Sequence, residues 1–134
     1  MDIGGTRIHV EEHGHGRPLL MLHGLGSNIE SMRPDIAALS PLRRVVALDS
    51  RGHGRSDRPA AYTLDDHVND VLAVMDALGL QTADVMGTSM GSYVAQGVAT
   101  RAPGRVLKLV LVVPKSSGTT SSVARPVSYT HLRA

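Results

Sequence analysis

The sequence has no cysteine, no phenylalanine and no tryptophan, and only three tyrosines. Without thiols there are no disulfides and no thiolate metal sites. With so few aromatics, a core has to be filled by Leu, Val, Met and Ala. No apolar run exceeds five residues, as at Leu109–Val113, which is far too short for a membrane-spanning helix. The start, Met1-Asp2-Ile3-Gly4-Gly5, lacks a basic region followed by an apolar stretch, so the expectation is a chain without a signal peptide, placed in the cytoplasm. Acidic residues are missing from the last fifty positions. All twelve lie between Asp2 and Asp84, whereas Val85–Ala134 carries six Lys and Arg. Those six are scattered, with almost no aromatics between them, so a nucleic-acid partner is not expected. What remains is 134 residues, 42% hydrophobic and 19% charged, with a net charge of +2. That composition fits one globular domain or a piece of one, not a disordered tail.

Apolar patterning organises the chain. Arg7-Ile8-His9-Val10-Glu11 alternates as a half-exposed strand does, and Gly14-His15-Gly16-Arg17-Pro18 reads as a turn. Leu19–Leu22 is a short continuous apolar run of the kind buried on both faces of a parallel sheet, and Arg44–Leu48, Ala83–Met86 and Val106–Val113 read as further buried strands. Between them the spacing predicts helices over Ile29–Leu39, from Thr63 to about Leu78, and from Met90 to about Thr100. The second helix has the clearest signals. Thr63 with Asp66 three residues later makes a capping box, Val68, Val71, Leu72, Met75 and Leu78 share one face, and Gly79 can close the end. Alternating strands and helices predict a parallel α/β sheet, thinly covered by three helices. Ser116–Ser122 reads as a loop.

Three segments carry chemistry. The first is Gly87-Thr88-Ser89-Met90-Gly91, a serine flanked by glycines two positions away, after a buried strand and before a helix. This is the setting of a nucleophile elbow, in which a strained turn admits only small neighbours and pushes the hydroxyl into the open. The plainer reading is a Gly/Ser turn. The second is Leu22-His23-Gly24-Leu25-Gly26, after an earlier strand. An oxyanion hole takes two backbone N–H groups from separate segments, here those of Met90 and Leu25. His23 is expected to brace the loop by hydrogen bonds and not to serve as the base. The third is Asp49–Asp57. It fails as a phosphate loop because Asp57 stands where a third glycine belongs and no Gly-Lys-Ser/Thr occurs. It is expected to be a charged loop whose Arg and Asp residues pair with one another. No two histidines lie four apart on a predicted helix, so neither a metal nor another cofactor is expected.

These stretches, with Arg105–Val113, resemble in order and spacing the N-terminal half of an α/β-hydrolase-fold serine hydrolase, over residues 3–114. The resemblance implies a parallel-sheet α/β-hydrolase fold truncated after about the sixth strand. It implies Ser89 as nucleophile, the N–H groups of Leu25 and Met90 as oxyanion hole, and His23, Gly24, Gly87 and Gly91 in support. A serine at the elbow speaks against branches that use aspartate there, and small-molecule esters, lactones and thioesters fit best. A non-catalytic binding module on the same fold is the alternative, and a different parallel α/β protein a third.

The triad is incomplete. The chain order on this fold is serine, then acid, then histidine. No acid follows Ser89, and the only later histidine is His131, three residues from the end. The chain as written is therefore expected to be nearly inactive. The last residues, Val127-Ser128-Tyr129-Thr130-His131-Leu132-Arg133-Ala134, resemble the translation of a transposon-end sequencing adapter. The expected organisation is residues 1–115 as the N-terminal part of the domain, 116–125 as a loop of uncertain origin, and 126–134 as an adapter-derived, non-native tail that excludes His131 from catalysis.

Overall fold

The computed structural model describes residues 1–112 and 128–130. The expectations placed on Val113, on 116–125, and on residues 126, 127 and 131–134, His131 included, lie outside the described residues.

The main sheet has six strands in the order β3 (Val10–His13), β5 (Arg44–Leu48), β4 (Pro18–Leu22), β6 (Ala83–Thr88), β7 (Val106–Val112) and β8 (Ser128–Thr130). The four central strands are parallel, and β3 and β8 pair antiparallel at the two edges. The four expected buried strands are the parallel ones, and β4 and β5 are buried along four consecutive positions each. Strand β8 pairs Ser128 with Leu111 and Thr130 with Leu109, so three residues of the segment expected to be foreign lie in the sheet.

The N-terminal strand differs from expectation. Residues Asp2–Ile3 (β1) and Thr6–Arg7 (β2) form a small hairpin, and the edge strand of the main sheet begins only at Val10. Ile8 lies between them and is fully buried. Its N–H donates to the Met1 carbonyl at 2.8 Å, and the His9 N–H donates to Ser56 Oγ at 2.9 Å, which pulls this stretch out of the ladder.

The helices follow from local chemistry. The expected helix over 29–39 is a 3₁₀ turn, Ile29–Met32, continued by α1, Arg33–Leu39. Pro34 lies in the first turn of α1, where its missing N–H costs nothing, and this resets the helix there. Helix α2 spans Leu64–Ala77 behind the complete Thr63/Asp66 capping box, and α3 spans Met90–Arg101. Alternate strand residues feed two cores. Leu20, Leu22, Val46, Leu48 and Val85 pack with α2 and α3, whereas Leu19, Met21, Val45 and Ala47 pack with the smaller layer of Ile29, Met32 and Ile36. No helix among the described residues is long and apolar enough to cross a membrane.

Candidate active site

The parallel strands deliver three loops to their C-terminal ends, where open α/β sheets place ligands. Strand β6 delivers Ser89, β4 delivers His23–Ser27, and β5 delivers Asp49–Asp57.

Ser89 has φ 53° and ψ −114°, and among the described residues it is the only non-glycine with positive φ. A side chain in that region is strained and persists only where its surroundings impose it. The surroundings here are specific. The Ser89 N–H donates to the Val112 carbonyl at 3.0 Å, and its own carbonyl accepts from the Ser92 N–H at 2.9 Å and the Ser92 hydroxyl at 2.5 Å. Ser92 is fully buried. It lies outside the motif legible in the sequence, although a serine three residues into a helix is a recognisable partner for the turn before it. The flanking glycines are sterically required. A Cβ on Gly87 would overlap the Gly91 backbone, and one on Gly91 would overlap the Leu22 carbonyl and come within 2.8 Å of the His23 carbonyl oxygen. The elbow is thus packed directly onto the end of β4.

The β4 loop runs against the serine. A Cβ on Gly24 would sit 3.3 Å from the Ser89 Cβ and 3.9 Å from its Oγ. The structure therefore brings Ser89, Gly24, Gly87 and Gly91 together. Met90 follows as the first residue of α3, where backbone N–H groups have no intrahelical carbonyl. Leu25 leaves its side chain 73% exposed at the tip of the loop, and Gly26 turns the chain at φ 74°.

His23 is 1% exposed. Its Nε2 accepts from the Ser50 N–H at 2.9 Å, which puts the proton on Nδ1, and Nδ1–H donates to the Gly24 carbonyl at 2.7 Å. Both ring nitrogens are committed to backbone groups, and burial holds the imidazole below its usual pKa and so neutral. That is the geometry of a brace.

The Asp49–Asp57 loop corrects an expectation. Its Arg and Asp residues do not pair with one another. Buried Asp49 accepts from the Ile29 N–H at 2.8 Å and the Arg55 N–H at 3.0 Å. Asp57 accepts from the Arg7 N–H at 2.8 Å. Arg51 reaches out of the loop to Asp70 of α2, making two bonds of 2.7 Å. Backbone N–H groups lie nearer than the guanidinium groups, and a carboxylate buried under a turn satisfies them first. His53, also buried, accepts the Gly26 N–H on Nε2 at 3.0 Å and meets the Arg51 carbonyl through Nδ1 at 3.1 Å. The rings of His23 and His53 lie 5.0 Å apart, and His67 lies 6.5 Å beyond His53. His67 is buried, and its Nδ1 has no hydrogen-bond partner among the described residues. Desolvation holds its pKa below the usual value, too. A cleft of about 440 Å³ opens beside the β4 loop, lined by Leu25, Gly26, Asn28, Gly52, His53 and Arg58. A larger cleft of about 750 Å³ lies at the other end of the strands, around Gly79 and Gly104.

The sequence profile of the alpha/beta hydrolase fold matches residues 17–131. The chain is 39% identical over 113 residues to 2-hydroxymuconate semialdehyde hydrolase from Pseudomonas sp. strain CF600, covering 81% of this chain and 40% of that protein. It is 38% identical over 119 residues to the dihydrolipoyllysine-residue acetyltransferase component of the acetoin cleaving system from Cupriavidus necator, covering 87% of this chain and 32% of that protein. Among solved structures it superposes on Est816, described as an N-acyl homoserine lactone degrading enzyme, with a TM-score of 0.82 and 32% identity, over 84% of this chain and 44% of that one. The chain thus spans under half the length of these proteins. Profile, relatives and superposition agree with the mostly parallel α/β sheet, and the chain belongs to the α/β hydrolase fold family.

Proposed function

We propose that this chain is the N-terminal part of a serine hydrolase that transfers an acyl group from a small ester, lactone or thioester to water. The observation that carries the reading is Ser89 held at φ 53° between two glycines that tolerate no Cβ. A turn with no chemical duty has no need of a strained serine. In the reaction, Ser89 Oγ attacks the carbonyl carbon and its proton passes to a histidine supplied by the rest of the protein. The carbonyl oxygen gathers the negative charge and accepts hydrogen bonds donated by the N–H groups of Leu25 and Met90. Collapse expels the alcohol or thiol, which takes the proton, and water repeats the cycle on the acyl-enzyme. His23 stays neutral and holds Gly24 in place. The lactone-degrading description of Est816 supports lactones within this class.

The triad's acid and histidine are taken to lie beyond this chain, and residues 126–134 to be foreign to the protein. Reading the source gene across codons 110–134 supplies the full-length protein for assay, and native coding sequence through the tail would overturn the second point. In that protein, Ser89→Ala is expected to lower kcat on short-chain esters by about 10³-fold or more and to abolish labelling by a fluorophosphonate probe. Retained turnover, or labelling at another residue, would overturn the assignment. A protein that binds small acyl compounds without labelling or turning them over would instead be a binding module on this fold.

A further inference from the structure

The three loops at the end of the sheet are tied together at chosen points. The β4 loop is gripped on both sides of Leu25. On one side, His23 Nδ1–H holds the Gly24 carbonyl at 2.7 Å while its Nε2 takes the Ser50 N–H at 2.9 Å. On the other, His53 Nε2 takes the Gly26 N–H at 3.0 Å. The His53 ring is itself oriented, because an accepting Nε2 leaves the proton on Nδ1, which donates to the Arg51 carbonyl at 3.1 Å. Arg51 is in turn fixed by its two bonds to Asp70, a buried carboxylate of α2. A continuous line of hydrogen bonds therefore runs from the body of α2 through Arg51 and His53 to the residue after Leu25. Glycine at 26 makes the tie necessary. It turns the chain at φ 74°, and a Cβ there would meet nothing within 4 Å, so no side-chain packing steadies the loop at that point.

We infer that His53 is a positioning residue of the hydrolytic site, which sets the direction of the Leu25 N–H by holding Gly26. This rests on the proposed reading that the Leu25 N–H receives the developing oxyanion. A donor that must meet an atom only as charge forms on it is effective when it is already aimed, and a loop free to turn at glycine loses that aim. The loss falls on the transition state, not on substrate binding. His53 touches no reacting atom in this scheme, so its effect is indirect.

The test uses the full-length protein and two variants. His53→Leu removes the acceptor but keeps the ring site filled. His53→Gln offers an amide oxygen close to the place of Nε2. Turnover is normalised to serine sites titrated by the fluorophosphonate, so misfolded protein is not counted. Removing the acceptor is expected to lower kcat by about 10- to 100-fold with KM within about twofold, as a misdirected oxyanion donor would. Glutamine is expected to restore kcat to within about fivefold of the parent, since it can accept the same bond. Amide exchange read on peptides covering residues 24–30 is expected to speed up by about tenfold or more at Gly26 in the leucine variant alone.

Unchanged kcat in His53→Leu would overturn the inference, and so would a glutamine variant as slow as leucine despite a protected Gly26 amide. If His53→Leu yields no titratable protein, His53→Gln decides: a protected amide and near-parental kcat support the role, and near-parental kcat with an unprotected amide overturns it. Failure of the hydrolase reading shows separately, as activity surviving Ser89→Ala, and the Gly26 exchange still reports whether His53 holds the loop.

Discussion

At Ser89 a strained backbone costs about 1–3 kcal/mol, and its neighbours must compensate. They do so with the Val112 carbonyl, the two bonds from Ser92 and the close fit of Gly87 and Gly91. The histidines beside it carry a different cost, which depends on pH. Burial depresses the pKa of both His23 and His67, so both are neutral in the folded chain. In the unfolded chain they titrate near the ordinary value of about 6.5. Below that pH the unfolded state binds more protons than the folded one, so stability falls as the solution is acidified. It is fully present above about pH 6.5 and declines towards the depressed folded pKa values, at up to about 1.4 kcal/mol per pH unit for each histidine. Urea unfolding of the full-length protein between pH 8 and 5 measures this slope. His67→Leu is expected to reduce it by removing one of the two groups, and among the described residues its Nδ1 has no hydrogen-bond partner to lose. A slope unchanged by that variant would show that His67 is not one of the titrating groups. What was legible at this scale was local. The elbow serine, its glycines and the bracing His23 sit within a few residues of the features that give them meaning. His53 was not legible, because its partner lies on another loop: Gly26 is 27 residues from His53.

Among the elements, α2 shows how a helix boundary reaches the site. Thr63 Oγ1 accepts the Asp66 N–H at 3.2 Å, and the Asp66 carboxylate accepts the Thr63 N–H at 2.8 Å, which lowers the carboxyl's pKa. Two otherwise orphaned donors are satisfied, and an acid sits at the positive end of the helix. Thr63→Ala is expected to destabilise the protein by about 1 kcal/mol. The loss starts at the first turn, and Asp70 lies in the second, so the Arg51–Asp70 pair should loosen before the strands do. Amide exchange checks this order: residues 64–70 are expected to lose protection ahead of β6, and equal loss in both would count against it. The box was readable from a threonine and an aspartate three apart, and the parallel strands from runs of Val, Leu and Ala. The break at Ile8 was not readable. Its alternation with Arg7 and His9 fits a strand, and only the distant Ser56 and Met1 partners pull it inward.

At the scale of the sheet, the described residues cover its two faces unequally. Among the described residues, helices α2 and α3 bury one face from Leu48 across to Leu111, whereas the other is covered around β4 and β5, by Ile29, Met32 and Ile36. The register pairs Met86 with Val110 and Thr88 with Val112, so these residues share the second face over β6 and β7. Met86, Val110 and Val112 are all only partly buried. A parallel sheet needs cover on both faces, and the chain spans 40% of the length of the semialdehyde hydrolase it matches. If the proposed remainder of the protein packs on this face, one substitution should have two different effects. In the chain of 134 residues, Val110→Asp replaces a partly buried side chain and is expected to cost about 1 kcal/mol, mostly lost strand preference, while reducing dye binding to the apolar face. In the full-length protein the same aspartate would be buried without a partner, at a cost of about 3 kcal/mol or more. Urea unfolding of the four proteins gives both numbers. Equal costs would mean that nothing in the longer protein covers Val110, and the unequal cores would then be a property of the finished fold.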